Sequence, residues 1–202
     1  MKQIYTIQHT QSEHHINGMV GSWTDWDLTP LGVAQAERIG ARLAAELRGR
    51  PAAVYTSDLR RARRTADIIA AHLGASVTAC PELRERSLGR CVGHSVQWLR
   101  ENMEKPERTI DDRLFPDAES RRDAWQRLRP CFDRLLADPA GCIVVVSHGD
   151  LLGLFHAMFL GLEAESLNRL ALSGRAGSLS ELILEEDGFR RVRRLFDLSF
   201  LA

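Results

Sequence analysis

The sequence predicts an α/β fold, a three-layer α/β/α sandwich around a mainly parallel central sheet. Three observations carry this expectation. Residues 143–146, in GCIVVVSHGD, are continuously apolar, as in a strand covered on both faces. Strand-like runs alternate with amphipathic helical stretches along most of the chain, the pattern that builds a parallel sheet. Two of the strand-like runs stop abruptly at a polar residue followed by histidine, Gln8-His9 and Ser147-His148. With 202 residues, 44% of them apolar, the chain has the length of one domain with a real core, 1–202.

The elements follow in order. Ile4, Tyr5, Thr6 and Ile7 are β-branched or aromatic and predict a first strand. A polar loop rich in Gly and Ser comes next. Thr29-Pro30 then reads as an N-cap followed by proline at the first helical position. Leu31, Ala34, Ile39, Leu43 and Leu47 keep helical spacing behind it. Residues 52–57 predict a second strand. Leu59, Ala62, Ala66, Ile69 and Leu73 give the stripe of a second helix. Residues 75–79 read as a short third strand and 80–94 as a loop. Residues 94–119 mix prolines, charges and scattered apolar residues, which predicts an insertion or lid. Trp125, Leu128, Phe132 and Leu135 mark one side of a helix; the 143–146 strand and the helix LLGLFHAMFLGL follow. Asp187-Gly188 punctuates a final hairpin.

Composition narrows the function classes. The 27 basic and 27 acidic residues cancel, so no global field recruits nucleic acid or a membrane surface. No stretch approaches the length of a bilayer span, and Met1-Lys2-Gln3 runs straight into the first strand. Cys80, Cys91, Cys131 and Cys142 fit no zinc or C-x-x-C spacing and read as reduced thiols of a cytoplasmic protein. His9, His14 and His15 match no standard metal spacing, so neither metal nor cofactor is expected. The expected partner is a small-molecule phosphate ester, for reasons given next; a homodimer is left open.

In open α/β sheets the site lies beyond the carboxyl ends of the strands. Those ends supply His9, then Arg61 in the first helical turn after Ser57-Asp58, then Glu85, then His148 and Gly149. Two imidazoles, a guanidinium and a carboxyl suit phosphoryl transfer: one imidazole attacks phosphorus, a cation holds the oxygens, and an acid protonates the leaving group. Helix N-termini after Ser57 and His148 favour an anion there. Arg60, Arg63 and Arg64, beside Arg61, read as a solvated helix face. Trp23 and Trp26 read as packing anchors or as a wall for an apolar substrate, with packing favoured, and His94 as a lid residue that could reach substrate. Glu85 sits among Arg84, Arg86 and Arg90, a setting that would lower its pKa if they paired with it.

Six segments in order, QHTQS, WTDWDLTPLGVAQA, SDLRRARRTA, LRERSLGRCVG, PDAES and VVVSHG, resemble the histidine phosphatase superfamily, in its phosphoglycerate-mutase-like branch. The resemblance implies a phosphomonoester hydrolase that works through phosphohistidine. His9 would be the nucleophile, Arg61 would grip the phosphoryl oxygens, and Glu85 would be the proton donor. His148 would stabilise the transferred charge. Gln8, Thr10, Ser12, His15 and Gly149 would line the phosphate end. Alternatives are a phosphoglycerate mutase, with Arg113, Arg121 and Arg122 as carboxylate clamps, or a weakened phosphate binder. The last arises because Gln8 and Thr10 stand where the family carries arginine and glycine. Arg84, Arg86 and His15 are candidates to compensate for the lost guanidinium.

Overall fold

A computed structural model describes residues 1–201. The strands β1 (Lys2–Gln8), β2 (Ala53–Thr56), β3 (Val77–Ala79), β4 (Cys142–Ser147), β5 (Leu179–Leu184) and β6 (Arg190–Asp197) form one sheet in the order β3-β2-β4-β1-β5-β6. The β3-β2-β4-β1 part is parallel; β5 is antiparallel to both β1 and β6. The α/β sandwich read from the sequence is therefore a mixed sheet with a parallel heart. The helices are α1 (His14–Asn17), α2 (Pro30–Leu47), α3 (Arg60–Leu73), α4 (Val96–Asn102), α5 (Arg121–Ala137) and α6 (Gly149–Phe159).

Strand alternation sorts the core into two layers. Tyr5, Ile7, Val144 and Val146 face Ile39 and Leu43 of α2 and Ala66 and Ile69 of α3. Ile4, Ile143 and Val145 face Leu128 and Phe132 of α5 and Leu151 and Phe155 of α6. The register Ile4↔Ile143, Tyr5↔Val144 keeps both faces in step. A one-residue slip would exchange the layers, so burial fixes where β1 and β4 end. Those ends carry His9 and His148.

Two local devices tie helices to the site. Thr29 Oγ1 accepts from the Gly32 amide at 3.0 Å and caps α2 as expected. A Cβ at Gly32 would lie 1.9 Å from the Gln11 carbonyl oxygen, so only glycine lets α2 seat against the loop behind His9. At the other end of the sheet, Lys2 Nζ donates to the carbonyls of Leu135 (3.3 Å) and Leu136 (2.7 Å), closing the C-terminus of α5.

Residues 94–119 share a small core with Val20 and Cys91. These two, Phe115 and Ala118 are buried together against Trp98 and Leu99 of α4 and Met103 just beyond it, and Ile110 reaches the main core. His94 stacks on Trp98 with ring centroids 3.9 Å apart. No described helix is long and apolar enough to cross a membrane, and all four cysteines are buried free thiols.

Candidate active site

A cavity of about 230 Å³ opens at the carboxyl ends of β1 and β4. Gln8, His9, His14, His15, Arg61 and Glu85 line it, and Ser22, Arg86, Leu88, Gly149 and Asp150 complete the wall. The four residues expected to do chemistry thus meet at one edge of the sheet. His148 is fully buried just behind, its ring edge-on to His9 at 5.1 Å.

His9 is held in one tautomer. Its Nδ1–H donates to the Thr10 carbonyl at 2.9 Å, which leaves Nε2 with the lone pair that accepts the Arg61 Nε–H. Arg61 Nε lies 3.1 Å from that Nε2. The rest of the Arg61 fork is fixed by two carbonyls, Nη1 donating to Thr24 O at 2.7 Å and Nη2 to Ser22 O at 2.8 Å. Ser22 takes a left-handed backbone conformation (φ 41°) and its hydroxyl donates to Arg86 O while accepting from Leu88 N. One strained serine therefore couples the Arg61 clamp to the Glu85 loop.

Glu85 lies over the N-terminus of α6. Its Oε1 accepts from the Arg86 (3.0 Å) and Leu151 (3.2 Å) amides, and its Oε2 from the Asp150 amide at 3.3 Å. Burial, and then the Asp150 carboxylate, push its pKa up to about 7; the amides and Arg61 oppose this without cancelling it. The neighbouring arginines do not pair with it. Arg84 is bound by Asp58 at 2.5 Å, Arg90 by Glu104 and Asp117, and Arg86 by Glu107 and by Asp150 at 3.3 Å. Arg84 also stacks on Trp23, outside the cavity, so it is not the compensating cation. Arg86 reaches the wall with its charge already neutralised.

Thr10 and Ser12 stand behind the wall rather than on it. The Thr10 amide and hydroxyl both meet Thr65 Oγ1 at 3.3 Å. Ser12 Oγ contacts His14 Nδ1 at 2.6 Å, and the Ser12 amide donates to His15 Nδ1 at 3.1 Å. His15 therefore carries its proton on Nε2, and this edge of the ring is a donor. Gln8 makes no side-chain hydrogen bond among the described residues; its amide runs between Gly149 and Gly174. His94 and the rest of 94–119 do not line the cavity, and the segment meets its wall at Arg86, through the Glu107 carboxylate and the Glu119 carbonyl.

His9, His14 and His15 each place a ring nitrogen within 4.8 Å of the others, a proximity their spacing did not announce. Two facts make the trio fit an anion better than a cation: the Arg61 guanidinium beside His9, and the Nε2 proton that Ser12 imposes on His15. Burial is the first cause that lowers the pKa of all three and of His148, with Arg61 adding to each; His14 falls to about 3. Groups held below their unfolded value contribute stability above pH 6.5 and lose it as pH falls. Glu85, with its raised pKa, opposes that trend between about 4.5 and 7, but it is one group against four. The melting temperature should therefore fall as pH drops from 6.5 towards 5. Millimolar phosphate should reduce the fall, because a bound dianion stabilises the protonated rings. A flat profile, measured by scanning calorimetry, would contradict this.

The sequence profile of the histidine phosphatase superfamily (branch 1) matches residues 4–197. The chain belongs to the histidine phosphatase superfamily. A relative from Klebsiella pneumoniae named probable phosphoglycerate mutase GpmB is 34% identical, covering 85% of this chain and 81% of its own. One from Citrobacter koseri with the same name is 33% identical over 92% and 86%. Among solved structures, Bacillus stearothermophilus YhfR superposes with a TM-score of 0.87 at 23% identity, over the whole of both chains. A mycobacterial glucosyl-3-phosphoglycerate phosphatase gives 0.81 at 23% identity, over 97% of this chain and 99% of its own. Superfamily membership makes the chain an enzyme of the phosphatase and mutase kind.

Within this superfamily member, two site residues escaped the sequence reading. Asp150, in the first turn of α6, supports the high Glu85 pKa. Arg127 of α5 donates to the carbonyls of Glu82 (2.8 Å), Arg84 (3.2 Å) and Glu85 (3.2 Å), fixing the loop that aims Glu85. It is also paired with the Glu119 carboxylate at 2.8 Å, and neither that distant partner nor the backbone oxygens leave a mark in the sequence.

Proposed function

We propose that the chain hydrolyses a small phosphomonoester through a phosphohistidine on His9. His9 Nε2 attacks phosphorus as the ester P–O bond breaks, and the Glu85 carboxyl gives its proton to the departing oxygen. Arg61 shifts from Nε2 to the phosphoryl oxygens; the His15 Nε2–H and the unpartnered nitrogens of buried His148 supply further contacts. The Glu85 carboxylate then takes a proton from water, whose oxygen attacks phosphorus. The P–N bond breaks, His9 returns to its neutral tautomer, and phosphate leaves. The observation that carries the reading is Glu85: a carboxyl titrating near neutrality on the wall that also holds the His9 lone pair can serve as acid and then as base.

The mutase reading needs a clamp for the carboxylate of phosphoglycerate. Arg113 is bound to Asp123 at 2.8 Å, and Arg122 to Asp111 and to Glu165 at 2.8 Å. Only Arg121 lies near, in a leucine-lined groove that shares Arg86 and Asp150 with the cavity. The relatives' mutase names keep this reading in the test. Phosphate release from a panel of phosphomonoesters, 3-phosphoglycerate included, is to be measured beside conversion of 3- to 2-phosphoglycerate. Phosphate release without conversion supports hydrolysis; conversion faster than release overturns it. Binding of orthovanadate with no turnover of any ester would favour the weakened binder.

Two variants probe the site's electrostatics. Gln8→Arg adds a permanent guanidinium between Gly149 and Gly174 and should raise turnover by at least about tenfold; equal rates would refute the idea. Asp150→Asn removes the charge that helps keep Glu85 protonated. The alkaline limb of the kcat profile should move below pH 7, and an unmoved limb would exclude Asp150 from that role.

A further inference from the structure

The amino-terminal ends of β1 and β6 hold a second, larger cavity, of about 830 Å³. It lies at the opposite end of β1 from the catalytic one. Gln3 floors it and Gln8 lines the other, so the two are roughly 17 Å apart along the strand at about 3.3 Å per residue. Six arginines line it: Arg42 from α2, Arg48 and Arg50 just beyond it, and Arg191, Arg193 and Arg194 from β6. Against them stand Glu46, Glu181 and Glu185, a side-chain excess of three positive charges in a chain whose charges cancel as a whole.

The arrangement is built rather than incidental. Regular strand alternation would send Arg193 and Arg194 to opposite faces of the sheet. The pairing of β5 with β6 shifts register there: Glu181 pairs with Arg194, but Leu182 with Val192. The extra residue is a bulge, a device that re-aims side chains. It turns both arginines onto Glu181, Arg193 Nη1 at 3.2 Å and Arg194 Nε at 2.9 Å. Glu181 is almost fully buried and also accepts from Gln3 Nε2 at 2.8 Å.

The guanidiniums divide into two sets. Arg194 is locked between Glu46 and Glu181, and Arg42 between Glu46 and Asp197; these make the wall. The other four are exposed and keep donors to spare. Arg48 has no side-chain partner among the described residues. Arg50 meets only the neutral oxygens of Gln3 (2.7 Å) and Leu47 (3.4 Å). Arg191 has a loose 3.6 Å contact with Glu185, and Arg193 its single bond to Glu181.

We infer that this cavity binds a small multivalent anion of the oligophosphate class, either free or as a nucleoside triphosphate. Arginine presents a flat fork that matches phosphate oxygens two at a time, and four such forks on two segments of chain fit a string of phosphates better than a single one. The volume is that of a small-molecule site rather than of a flat macromolecular contact. The inference is independent of what reaction His9 carries.

The test is calorimetric titration of the His9→Ala protein with inorganic tripolyphosphate, with ATP and with orthophosphate as parallel probes. It is repeated on that protein carrying Arg48→Glu, Arg191→Glu and Arg193→Glu, all at exposed positions. Tripolyphosphate should bind, weaken steeply with salt, and lose at least about tenfold in affinity on charge reversal. The same three substitutions in the chain with His9 intact should leave hydrolysis of 4-nitrophenyl phosphate within about twofold, which also shows that the variant folds. Tighter binding of ATP than of tripolyphosphate supports the nucleotide form, and equal binding supports the bare phosphate chain. Absence of tripolyphosphate binding at millimolar concentration, affinity unchanged by charge reversal, or orthophosphate binding as tightly as tripolyphosphate would overturn the inference.

Discussion

His9→Ala should lower phosphate release by at least about four orders of magnitude, the loss expected when a covalent route is closed and only the binding groups remain. The effect is large because no neighbour can substitute. The proton of His15 is fixed on Nε2 by the Ser12 amide, and His14 is turned towards Ser12 Oγ. His148 has both ring nitrogens without a partner but lies fully buried behind the wall. Steady-state assay checks the loss. Orthovanadate affinity and melting temperature measured beside it separate a lost nucleophile from a collapsed pocket. His9→Ala protein that keeps more than about a hundredth of the wild-type rate would mean that phosphorus is attacked by something else.

Glu85→Gln should cut turnover by about 10² to 10⁴, the usual worth of a positioned acid and base. It should act unevenly on the two half-reactions. With 4-nitrophenyl phosphate the leaving group needs little protonation, so phosphorylation of His9 survives while hydrolysis of the phosphohistidine stalls. The expected trace is a burst of about one nitrophenolate per protein followed by a slow phase. The same substitution should stabilise the fold. Glu85 has a raised pKa, so its burial stabilises below the unfolded value near 4.5 and costs progressively more as pH climbs through about 7. Glutamine keeps the acceptor oxygen for the Leu151 and Arg86 amides without that cost. At pH 8 the variant should be more stable by about 1–3 kcal/mol, from chemical denaturation. A variant that is slower but no more stable would mean that Glu85 is solvated and ordinary.

Much of this was legible in the residues because burial dictates it. The continuous apolar run in β4 and the β-branched and aromatic run in β1 fix two strand ends, and those ends carry His148 and His9. Thr29-Pro30 announced the α2 cap, and the structure supplies the Gly32 amide as its partner. The meaning of charge was hidden. Arg84, Arg86 and Arg90 surround Glu85 in sequence and suggested a lowered pKa, yet each is drawn to another carboxylate and the pKa rises instead. Arg113 and Arg122 looked free to clamp a substrate and are paired within the fold. Ser12 and Thr10 carry the right chemistry but point their hydroxyls inward, to His14 and Thr65. Ion pairs between distant residues follow from tertiary packing, and no local pattern encodes them. The β6 arginines are the same case: an RRVRR run reads as a charged edge, and only a bulge aligns it into a cradle.

The most direct measurement is rapid quench of the enzyme during turnover, followed by peptide mass spectrometry under alkaline conditions that preserve phosphoramidates. A phosphoryl group on His9 is the predicted result: acid-labile, transient in the native chain, accumulated in Glu85→Gln and absent from His9→Ala. A phosphoryl group on any other residue, or steady phosphate release with His9 unmodified at every time point in Glu85→Gln, would contradict the account.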